Sequence, residues 1–434
     1  MAPTVVSPGA PFGVGLIGAG TVGGEVARQL LAQRDEFRRR TGADLALRRV
    51  AVRDGEKPRP GIDRSLLTTN ASRVLDDPSI AIVVEVAGGE EPARSFLERA
   101  VRNGKHVVTA NKVVMARHGP DLLELAGELG VEVAFEAAVG GGIPLVGTFK
   151  VDLVSNRLWR VTAIINGTTN YMLTGMAQDG LTFEEALAQA RREGYAEADP
   201  SEDIEGYDAA SKIAIMGSIA FGARVHPKDV YREGITGVRL VDFRYARDLG
   251  YTIKLVARTE RSDRGIEIWV HPCLVPLGHP LAQVAGVQNA VFIDGDLVGE
   301  VALQGPGAGA RPTASAVIAD LLDLSRRVRS GAIDRHPFRF EEQPLLPMGE
   351  VATRAYLRCT LRDEPGVLAE VARVFGEEGV SISSAIQQDA AAGDGSAEFV
   401  VTTHRAPEAA LQRTRRRAGS LPQVRGVSSF LRIL

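Results

Sequence analysis

Residues 13–23 read Gly-Val-Gly-Leu-Ile-Gly-Ala-Gly-Thr-Val-Gly, and this stretch decides the fold of the N-terminal part of the chain. The apolar run that ends at Ile17 predicts a β-strand, and residues 25–40 have the apolar spacing of a helix. The glycines between them match the GxGxxG pattern of dinucleotide-binding folds, in which they permit a tight turn, approach of the diphosphate and close helix packing. The residues predicted to bind the cofactor here are Gly18, Gly20, Thr21, Val22 and Gly23.

The pattern alone would also fit a glycine-rich turn with no ligand, so its surroundings matter. A second strand is predicted over 45–53, and three more over 80–88, 106–110 and 131–139. Helices are predicted near 92–103 and 120–129. This alternation predicts an α/β fold of the Rossmann type, a doubly wound parallel sheet with cofactor and chemistry at the carboxyl ends of its strands.

The end of the second strand bears on the choice of nucleotide. An acidic residue there would bind the ribose 2′-hydroxyl of NAD, whereas this chain has Arg53, followed by Asp54, Lys57 and Arg59. A cationic cluster would accept the 2′-phosphate of NADP. We therefore favour NADP, while Asp54 keeps NAD open and Arg53 also fits a solvated surface arginine.

Two further strand ends carry possible site residues. Lys112 follows the strand 106–110, where it would lie near the cofactor or simply face water at a helix start. Glu136 is isolated in an apolar stretch that leads into Gly140-Gly141-Gly142-Ile143-Pro144. Such a loop can turn its carbonyl oxygens inward to hold a small hard cation, or it can be a strained crossover with a capped carboxylate.

The central region combines acids, one lysine and an apolar helix. Thr182 and Glu185 predict a capping box, and a loop dense in acidic residues follows Gly194. Asp208 and Lys212 are four residues apart, so they share one face of a helix that is too apolar to be exposed. The pair would be a salt bridge or a catalytic site, since an amino-acid substrate needs carboxylates for its ammonium group and a forming alkoxide needs a proton donor.

Composition limits the classes of function. The chain has 434 residues, of which 44% are hydrophobic and 24% charged, and its formal charge of −3 favours neither nucleic acid nor an anionic membrane as partner. Cys273 and Cys359 are far apart, which speaks against a disulfide framework or a zinc site and favours the cytoplasm. We expect no signal peptide and no membrane segment. A small polar molecule is the expected partner.

Several motifs together resemble the homoserine dehydrogenase family. They are VTANK (108–112), FEAAVGGGIP (135–144), NGTTNY (166–171), GYAEADP (194–200), DIEGYDAASK (203–212) and GPGAGARPTASAV (305–317). The resemblance covers roughly residues 13–330. It implies the reversible, NAD(P)-dependent interconversion of L-homoserine and L-aspartate 4-semialdehyde, a step in the biosynthesis of threonine, methionine and isoleucine. With no kinase domain before the glycine motif, a monofunctional enzyme is expected.

The resemblance also implies roles for individual residues. Lys212 would donate the proton, Glu197 and Asp208 would hold the substrate, and Lys112 would lie between nicotinamide and substrate. Gly194 and Gly309 would approach the cofactor. The residues implied to hold a monovalent cation, such as sodium, are Glu136 and the carbonyls of Val139, Gly141 and Ile143.

The implied organisation has four segments: a nucleotide domain over 1–140, a mixed α+β substrate and dimerisation domain over 141–320, a linker over 321–353 and a C-terminal module over 354–434. The last segment has the βαββαβ order of a four-stranded antiparallel sheet and resembles an ACT domain. By that resemblance an amino acid, threonine in the first instance, would bind between copies of a homodimer or homotetramer. Its predicted contacts are Asp363, Glu364, Pro365, Gly366 and Val367. A dimerisation module without a ligand is the alternative.

Two other functions fit parts of the pattern. An aspartate-semialdehyde dehydrogenase would need a nucleophilic cysteine, and both cysteines lie outside the expected cleft. The other alternative is a non-catalytic regulator that keeps the dehydrogenase fold but has lost the activity. Such a protein would not need to retain Glu197, Asp208 and Lys212 together. We therefore expect an active dehydrogenase.

Overall fold

The computed structural model describes residues 10–333, 338–389 and 395–434, which fall into two compact units. The first unit contains the chain up to Trp159 together with Ala214–Pro227 and Ile293–Glu342. The second contains Arg160–Ile213, Lys228–Phe292 and Gln343–Leu434. The boundaries of these units differ from the domain boundaries expected near 140, 320 and 353. The expected boundaries divide the sequence into consecutive segments, and they stay a prediction.

The first unit is built on a six-stranded parallel sheet. Its elements up to residue 134 are β1 (Phe12–Ile17), α1 (Thr21–Ala32), α2 (Arg34–Thr41), β2 (Leu45–Ala51), β3 (Leu67–Thr68), α3 (Ser72–Leu75), β4 (Ile82–Glu85), α4 (Ala93–Arg102), β5 (His106–Thr109), α5 (Lys112–Leu129) and β6 (Val133–Ala134). The strand order is β3-β2-β1-β4-β5-β6, and every pairing is parallel. All residues of β1, β4 and β5 are buried, as expected for strands covered on both faces. The predicted doubly wound sheet is confirmed.

Two elements differ from the prediction in length. Helix α5 begins at Lys112, earlier than the helix predicted near 120–129, because the Asn111 side chain caps it and the helix continues through Pro120. Strand β6 has two residues where a strand over 131–139 was expected. The chain leaves the sheet there because Glu136 starts a single 3₁₀ turn.

The central part of the chain alternates helices with longer strands. Its elements are β7 (Leu158–Ile164), α6 (Gly167–Gln178), α7 (Phe183–Arg192), α8 (Ser201–Ile204), α9 (Tyr207–Phe221), β8 (Tyr231–Arg232), α10 (Leu240–Asp248), β9 (Tyr251–Ser262), β10 (Gly265–Pro276) and β11 (Gln288–Gly295). Strands β9 and β10 form an antiparallel hairpin of 12 residues each, and β7 pairs with β9. The capping box of Thr182 and Glu185 at the start of α7 is confirmed.

The chain then adds β12 (Gly299–Pro306) and the long helix α11 (Ala310–Ser330). Helix α11 lies in the first unit, where its buried face, including Val317 and Leu321, shares a core with Val26 and Leu30 of α1. Residues 321–330 are therefore part of a helix that packs in this core.

The C-terminal module completes the second unit. Its elements are β13 (Ala352–Arg362), α12 (Val367–Glu377), β14 (Ile382–Asp389), β15 (Ser396–Thr403), β16 (Ala406–Pro407), α13 (Glu408–Gly419) and β17 (Val424–Ile433). The strand order β17-β13-β15-β14 is antiparallel throughout, so the predicted βαββαβ module is confirmed. Strand β17 also pairs in parallel with β10, through Cys273 opposite Arg432. Among the described residues, no helix combines the length and apolar character that crossing a membrane requires.

Candidate active site

The glycine loop between β1 and α1 has the geometry that a dinucleotide needs. Gly18 has a φ of +96°, and a Cβ on Gly23 would lie 2.1 Å from the Gly18 carbonyl oxygen, so both positions require glycine. A Cβ on Gly20 would meet no atom within 4 Å, which leaves open space beside the backbone. Helix α1 starts at Thr21 with no side-chain cap and no acidic residue in its first turn, so its amides suit a diphosphate.

The end of β2 presents a cation. Arg53 is exposed, two residues past the strand. The neighbouring Asp54 turns its carboxylate to its own loop, where Oδ1 accepts hydrogen bonds from the amides of Glu56 at 2.9 Å and Lys57 at 3.3 Å. Arg59 donates to the carbonyl oxygens of Asp54 and Lys57. Among the described residues of this cluster, Arg53 and Lys57 are therefore the exposed cations whose side chains form no hydrogen bond to the loop.

Lys112 is the first residue of α5, at the carboxyl end of β5, and is half-buried. The Asn111 side chain fixes this helix start by accepting a hydrogen bond from the Val114 amide at 3.1 Å. The buried carboxylate of Glu85, at the end of β4, accepts a hydrogen bond from the Thr109 hydroxyl at 3.0 Å, and burial raises the pKa of Glu85. The two neighbouring strand ends are thus rigidly connected where the prediction places the chemistry.

Glu136 lies under the glycine-rich loop. Its carboxylate accepts hydrogen bonds from the amides of Leu145, Val146 and Gly147, at 2.5, 2.9 and 2.8 Å. The Glu136 amide donates to the Asp320 carboxylate at 2.9 Å, and burial raises the pKa of both acids, that of Asp320 with a contribution from the Glu136 charge. Neither acid has a basic ion-pair partner in the described part of the chain.

This environment fits the implied monovalent cation. Gly140 and Gly141 have φ of +80° and +58°, so the loop that carries the carbonyls of Val139, Gly141 and Ile143 adopts an irregular backbone. Carbonyl and carboxylate oxygens are the donors that a hard cation prefers, and a positive charge would offset the two half-buried acids. The described residues contain no cluster of three or more His, Cys, Asp or Glu that would hold a transition metal.

In the second unit, four polar side chains meet at the N-terminal ends of α6 and α9. Lys212 Nζ donates to Asp208 Oδ2 at 2.8 Å and to the Ile165 carbonyl at 3.0 Å. Asn166 Nδ2 donates to Asp203 at 2.6 Å and to Asp208 at 2.9 Å. Asp208 is 5% exposed, and burial together with the Asp208 charge raises the pKa of Asp203. The predicted pair of Asp208 and Lys212 is therefore part of a larger network, in which Asn166 and Asp208 are buried and Asp203 and Lys212 are half-buried.

Asn166 and Asp203 are site residues that sequence reasoning missed. The signal for Asn166 was its position before Gly-Thr-Thr and a helix, which is an N-cap pattern, and its Oδ1 does accept a hydrogen bond from the Thr169 amide at 2.8 Å. Asp203 lies five residues before Asp208, in the short helix α8, and the acid-rich sequence around it gave no reason to prefer one carboxylate.

Glu197 and Gly194 lie in the loop after α7. Glu197 is exposed, and none of the hydrogen bonds and ion pairs among the described residues connects it to Asp208 or Lys212. Gly194 has a φ of +76° and open space around it. In the first unit, Gly309 has a φ of +121° and precedes α11 without a side-chain cap. The substrate and cofactor roles of these three residues stay predictions.

Both cysteines are unsuited to nucleophilic attack. Cys273 and Cys359 are buried, and burial raises the pKa of each thiol, that of Cys359 to about 12. A thiol with such a pKa is protonated at neutral pH and is a weak nucleophile. This finding counts against the aspartate-semialdehyde dehydrogenase alternative.

The predicted effector turn of the C-terminal module is exposed from Asp363 to Gly366. Gly366 has a φ of +91° and starts α12, again without a side-chain cap. Gln387 donates a hydrogen bond to the Asp363 carboxylate at 3.2 Å. The turn thus offers main-chain amides at a helix start, next to a carboxylate that accepts a hydrogen bond from Gln387 of β14.

Comparison with known proteins places this geometry in a family. Models described as homoserine dehydrogenase, its NAD-binding domain and the ACT domain match residues 144–322, 18–136 and 355–421. The chain is 41% identical to a homoserine dehydrogenase of Corynebacterium glutamicum, over 98% of this chain and 96% of that protein. A relative from Synechocystis is 42% identical, with 97% and 99% covered.

Solved structures similar to this chain are also of homoserine dehydrogenases. A homoserine dehydrogenase from Thiobacillus denitrificans has a TM-score of 0.90 and 40% identity, with 98% of both chains covered. A hyperthermophilic archaeal homoserine dehydrogenase in complex with NADPH has a TM-score of 0.63 and 28% identity, covering 73% of this chain and 98% of that one. The likeness thus extends over nearly the whole length of the chain.

Proposed function

Because the chain belongs to the homoserine dehydrogenase family of NAD(P)-dependent oxidoreductases, we propose that Lys212 is the proton donor of its reaction. The family interconverts L-aspartate 4-semialdehyde and L-homoserine, and the nicotinamide supplies or accepts the hydride at the carbon that carries the oxygen. An ammonium group has three N–H donors, and two of those of Lys212 are held by Asp208 and the Ile165 carbonyl. The third remains for the substrate oxygen. This geometry is the observation that carries the proposal.

In the direction of reduction, the third N–H of Lys212 would donate its proton to the oxygen as it becomes an alkoxide. Asp208 keeps the ammonium group in place and balances its charge, while Asn166 and Asp203 keep Asp208 from rotating. The surrounding carboxylates would also attract the substrate ammonium group, with Glu197 as a second predicted contact. We assign Lys112 to the substrate and nicotinamide side of the first unit, where a cation favours the developing negative oxygen.

The test is reduction of NAD or NADP with L-homoserine, followed by absorbance of the reduced nicotinamide. Lys212→Met should lower kcat by about 10²- to 10⁴-fold, the usual contribution of a positioned acid or base. Lys228→Met is the matched control, since Lys228 is an exposed lysine after α9. Near-normal turnover in Lys212→Met, with the folded state intact, would remove Lys212 from the chemistry.

We further propose that the nucleotide is NADP in preference to NAD. The support is the exposed Arg53 beside an Asp54 carboxylate that is committed to its own loop. Arg53→Ala should raise KM for NADP about tenfold and leave KM for NAD unchanged, because a single charge-assisted contact to the 2′-phosphate is lost. Arg40→Ala, at an exposed arginine of α2, is the control. An equal effect on both nucleotides would contradict the assignment.

We also propose a structural sodium ion at Glu136 and the carbonyls of Val139, Gly141 and Ile143. Its support is the half-buried acid pair of Glu136 and Asp320, for which no basic ion-pair partner is found among the described residues. Thermal unfolding in sodium chloride should occur at higher temperature than in tetramethylammonium chloride at equal ionic strength, because an ion that binds only the folded state stabilises it. In Glu136→Gln this difference should disappear. An equal difference in wild type and variant would place the ion elsewhere.

For the C-terminal module we propose threonine as effector, bound at Asp363–Val367 between copies of a homodimer or homotetramer. The exposed helix start at Gly366 supports a carboxylate ligand there. Inhibition by threonine should be lost in Asp363→Ala, and sedimentation should give the mass of two or four copies. A monomer at assay concentration, or unchanged inhibition in the variant, would contradict this proposal.

A further inference from the structure

A cavity separate from both predicted ligand sites lies within the second unit. It opens where the end of β17 and the start of β13 meet the hairpin of β9 and β10, and it has a volume of about 130 Å³. A water molecule takes about 30 Å³ in the liquid, so the cavity has room for about four waters or one small organic molecule. It is too small for a nucleotide. Neither the glycine loop nor the turn after β13 contributes a residue to it.

The cavity has an excess of positive charge. Four arginines line it, together with a single acidic side chain, Glu267. Two of these arginines are paired internally: Arg432 with Glu233 and Glu408, and Arg258 with Glu260 and, at 3.8 Å, with Glu267 itself. The other two, Arg354 and Arg405, have no carboxylate partner in the described part of the chain. Arg354 donates to the Thr403 carbonyl at 3.3 Å, and Arg405 donates to the Ala352 carbonyl at 2.8 Å.

A guanidinium group has five N–H donors, so one bond to a carbonyl leaves most of the donors of Arg354 and Arg405 free for an anion. Arg354 is half-buried and Arg405 is exposed, and both line the cavity, so a carboxylate at its mouth could accept hydrogen bonds from both. They would also repel each other less when an anion lies between them. The cavity therefore has a carboxylate-binding end.

The remaining walls are apolar or neutral. Trp269, Met348 and Val351 are among the lining residues, and His271 stacks on Trp269 with ring centroids 4.0 Å apart. Burial lowers the pKa of His271 to about 3, so the ring is uncharged at neutral pH. Such walls would hold a small apolar side chain.

Glu267 adds a third feature. It is half-buried, and burial raises its pKa although the nearby charges of Arg258 and Arg405 lower it. An ammonium group in the cavity would keep this carboxylate ionised and would share the space with a carboxylate bound by Arg354 and Arg405. Opposite charges on one small ligand match this arrangement.

From these features we propose that the cavity is a binding site for a small α-amino acid with an apolar side chain. The ligand carboxylate binds Arg354 and Arg405, its ammonium group faces Glu267, and its side chain packs against Trp269, Met348 and Val351. The site is distinct from the turn at Asp363–Val367 and would allow the chain to bind an amino acid on a single copy of the module.

Isothermal titration of the full-length protein with L-valine, L-isoleucine and L-methionine tests the proposal, in the absence of nucleotide and homoserine. At least one should bind saturably. For a ligand that binds, the matched analogues lack one charge each: for L-valine they are 3-methylbutanoate, without the ammonium group, and 2-methylpropylamine, without the carboxylate. Each analogue should bind at least tenfold more weakly. No saturable heat with any of the three amino acids would overturn the proposal, as would equal binding of an analogue.

Variants locate the site. Arg354→Gln and Arg405→Gln should each weaken binding at least tenfold, and Arg405→Lys should restore part of the affinity because it keeps the charge. Arg373→Gln is the matched control, since Arg373 is exposed on α12 and forms an ion pair with Glu377, one turn further along the same helix. Circular dichroism would show that the variants fold. Binding that survives both cavity variants but is lost in Asp363→Ala would place the ligand at the turn and overturn the proposal.

Discussion

Asn166→Ser tests whether the amide of Asn166 positions Lys212, which we propose as the proton donor. Serine keeps an oxygen that can cap α6, but it has no N–H group to donate to Asp203 and Asp208, which Asn166 reaches at 2.6 and 2.9 Å. A hydrogen bond to a charged group contributes about 1.5–3 kcal/mol. Loss of both bonds should lower the free energy of unfolding by about 3 kcal/mol, measured by urea denaturation.

The catalytic effect follows from the shared oxygen. Asp208 Oδ2 accepts from both Asn166 and Lys212, so a carboxylate that has lost one of these bonds can rotate and carry the ammonium group away from the substrate. If this misplacement costs about 2 kcal/mol in the transition state, kcat/KM falls about thirtyfold, since about 1.36 kcal/mol corresponds to a factor of ten. The assay is the absorbance of the reduced nicotinamide at subsaturating homoserine.

Thr182→Ala is the control for loss of a helix cap. Thr182 caps α7 through the amide of Glu185 and is exposed, so its removal should cost about 1 kcal/mol of stability and leave kcat/KM unchanged. The reasoning is refuted if Asn166→Ser keeps wild-type kcat/KM, because the hydrogen bonds to the two carboxylates would then have no part in positioning Lys212.

Three further predictions concern the glycine loop, a buried lysine and a buried ion pair. Gly20→Ala should unfold at the wild-type temperature but raise KM for the nucleotide, whereas Gly23→Ala should lose stability because its Cβ would lie 2.1 Å from a main-chain oxygen. Burial lowers the pKa of Lys254 from 10.5 to about 8, so between these pH values the folded chain binds fewer protons than the unfolded chain. The free energy of unfolding should therefore rise by about 3 kcal/mol between pH 8 and 10.5. Lys254→Met should remove this rise, measured by urea denaturation at several pH values. Asp242→Asn should lower the free energy of unfolding by about 3 kcal/mol, because it weakens the buried ion pair with Arg358. A loss of less than about 1 kcal/mol would show that the ion pair with Glu398 alone is enough to neutralise Arg358.

The parallel sheet and the C-terminal module were predictable because their signals are local. The strand, turn and helix around Gly18 use residues that are neighbours in the sequence, and the alternation of β13 identifies a strand. The structure also buries the second face of β13, where Tyr356 and Arg358 contact Asp242. The length of β6 was not predictable in this way. Residues 131–139 are apolar enough for a strand, but the strand ends early because the Glu136 carboxylate binds amides nine to eleven residues further along the chain.

The candidate site shows the same division between local and distant information. Asp208 and Lys212 could be paired from the sequence because four residues separate them on one helix, and the structure finds them 2.8 Å apart. Asn166 joins them from 42 residues away, and nothing in the spacing of the acidic loop distinguishes Asp203, which contacts Asn166, from Glu197, which is exposed. Residue type and spacing therefore identify the helix that carries the proposed proton donor. Which carboxylate completes the network depends on how α8 meets the start of α6, and that is a property of packing.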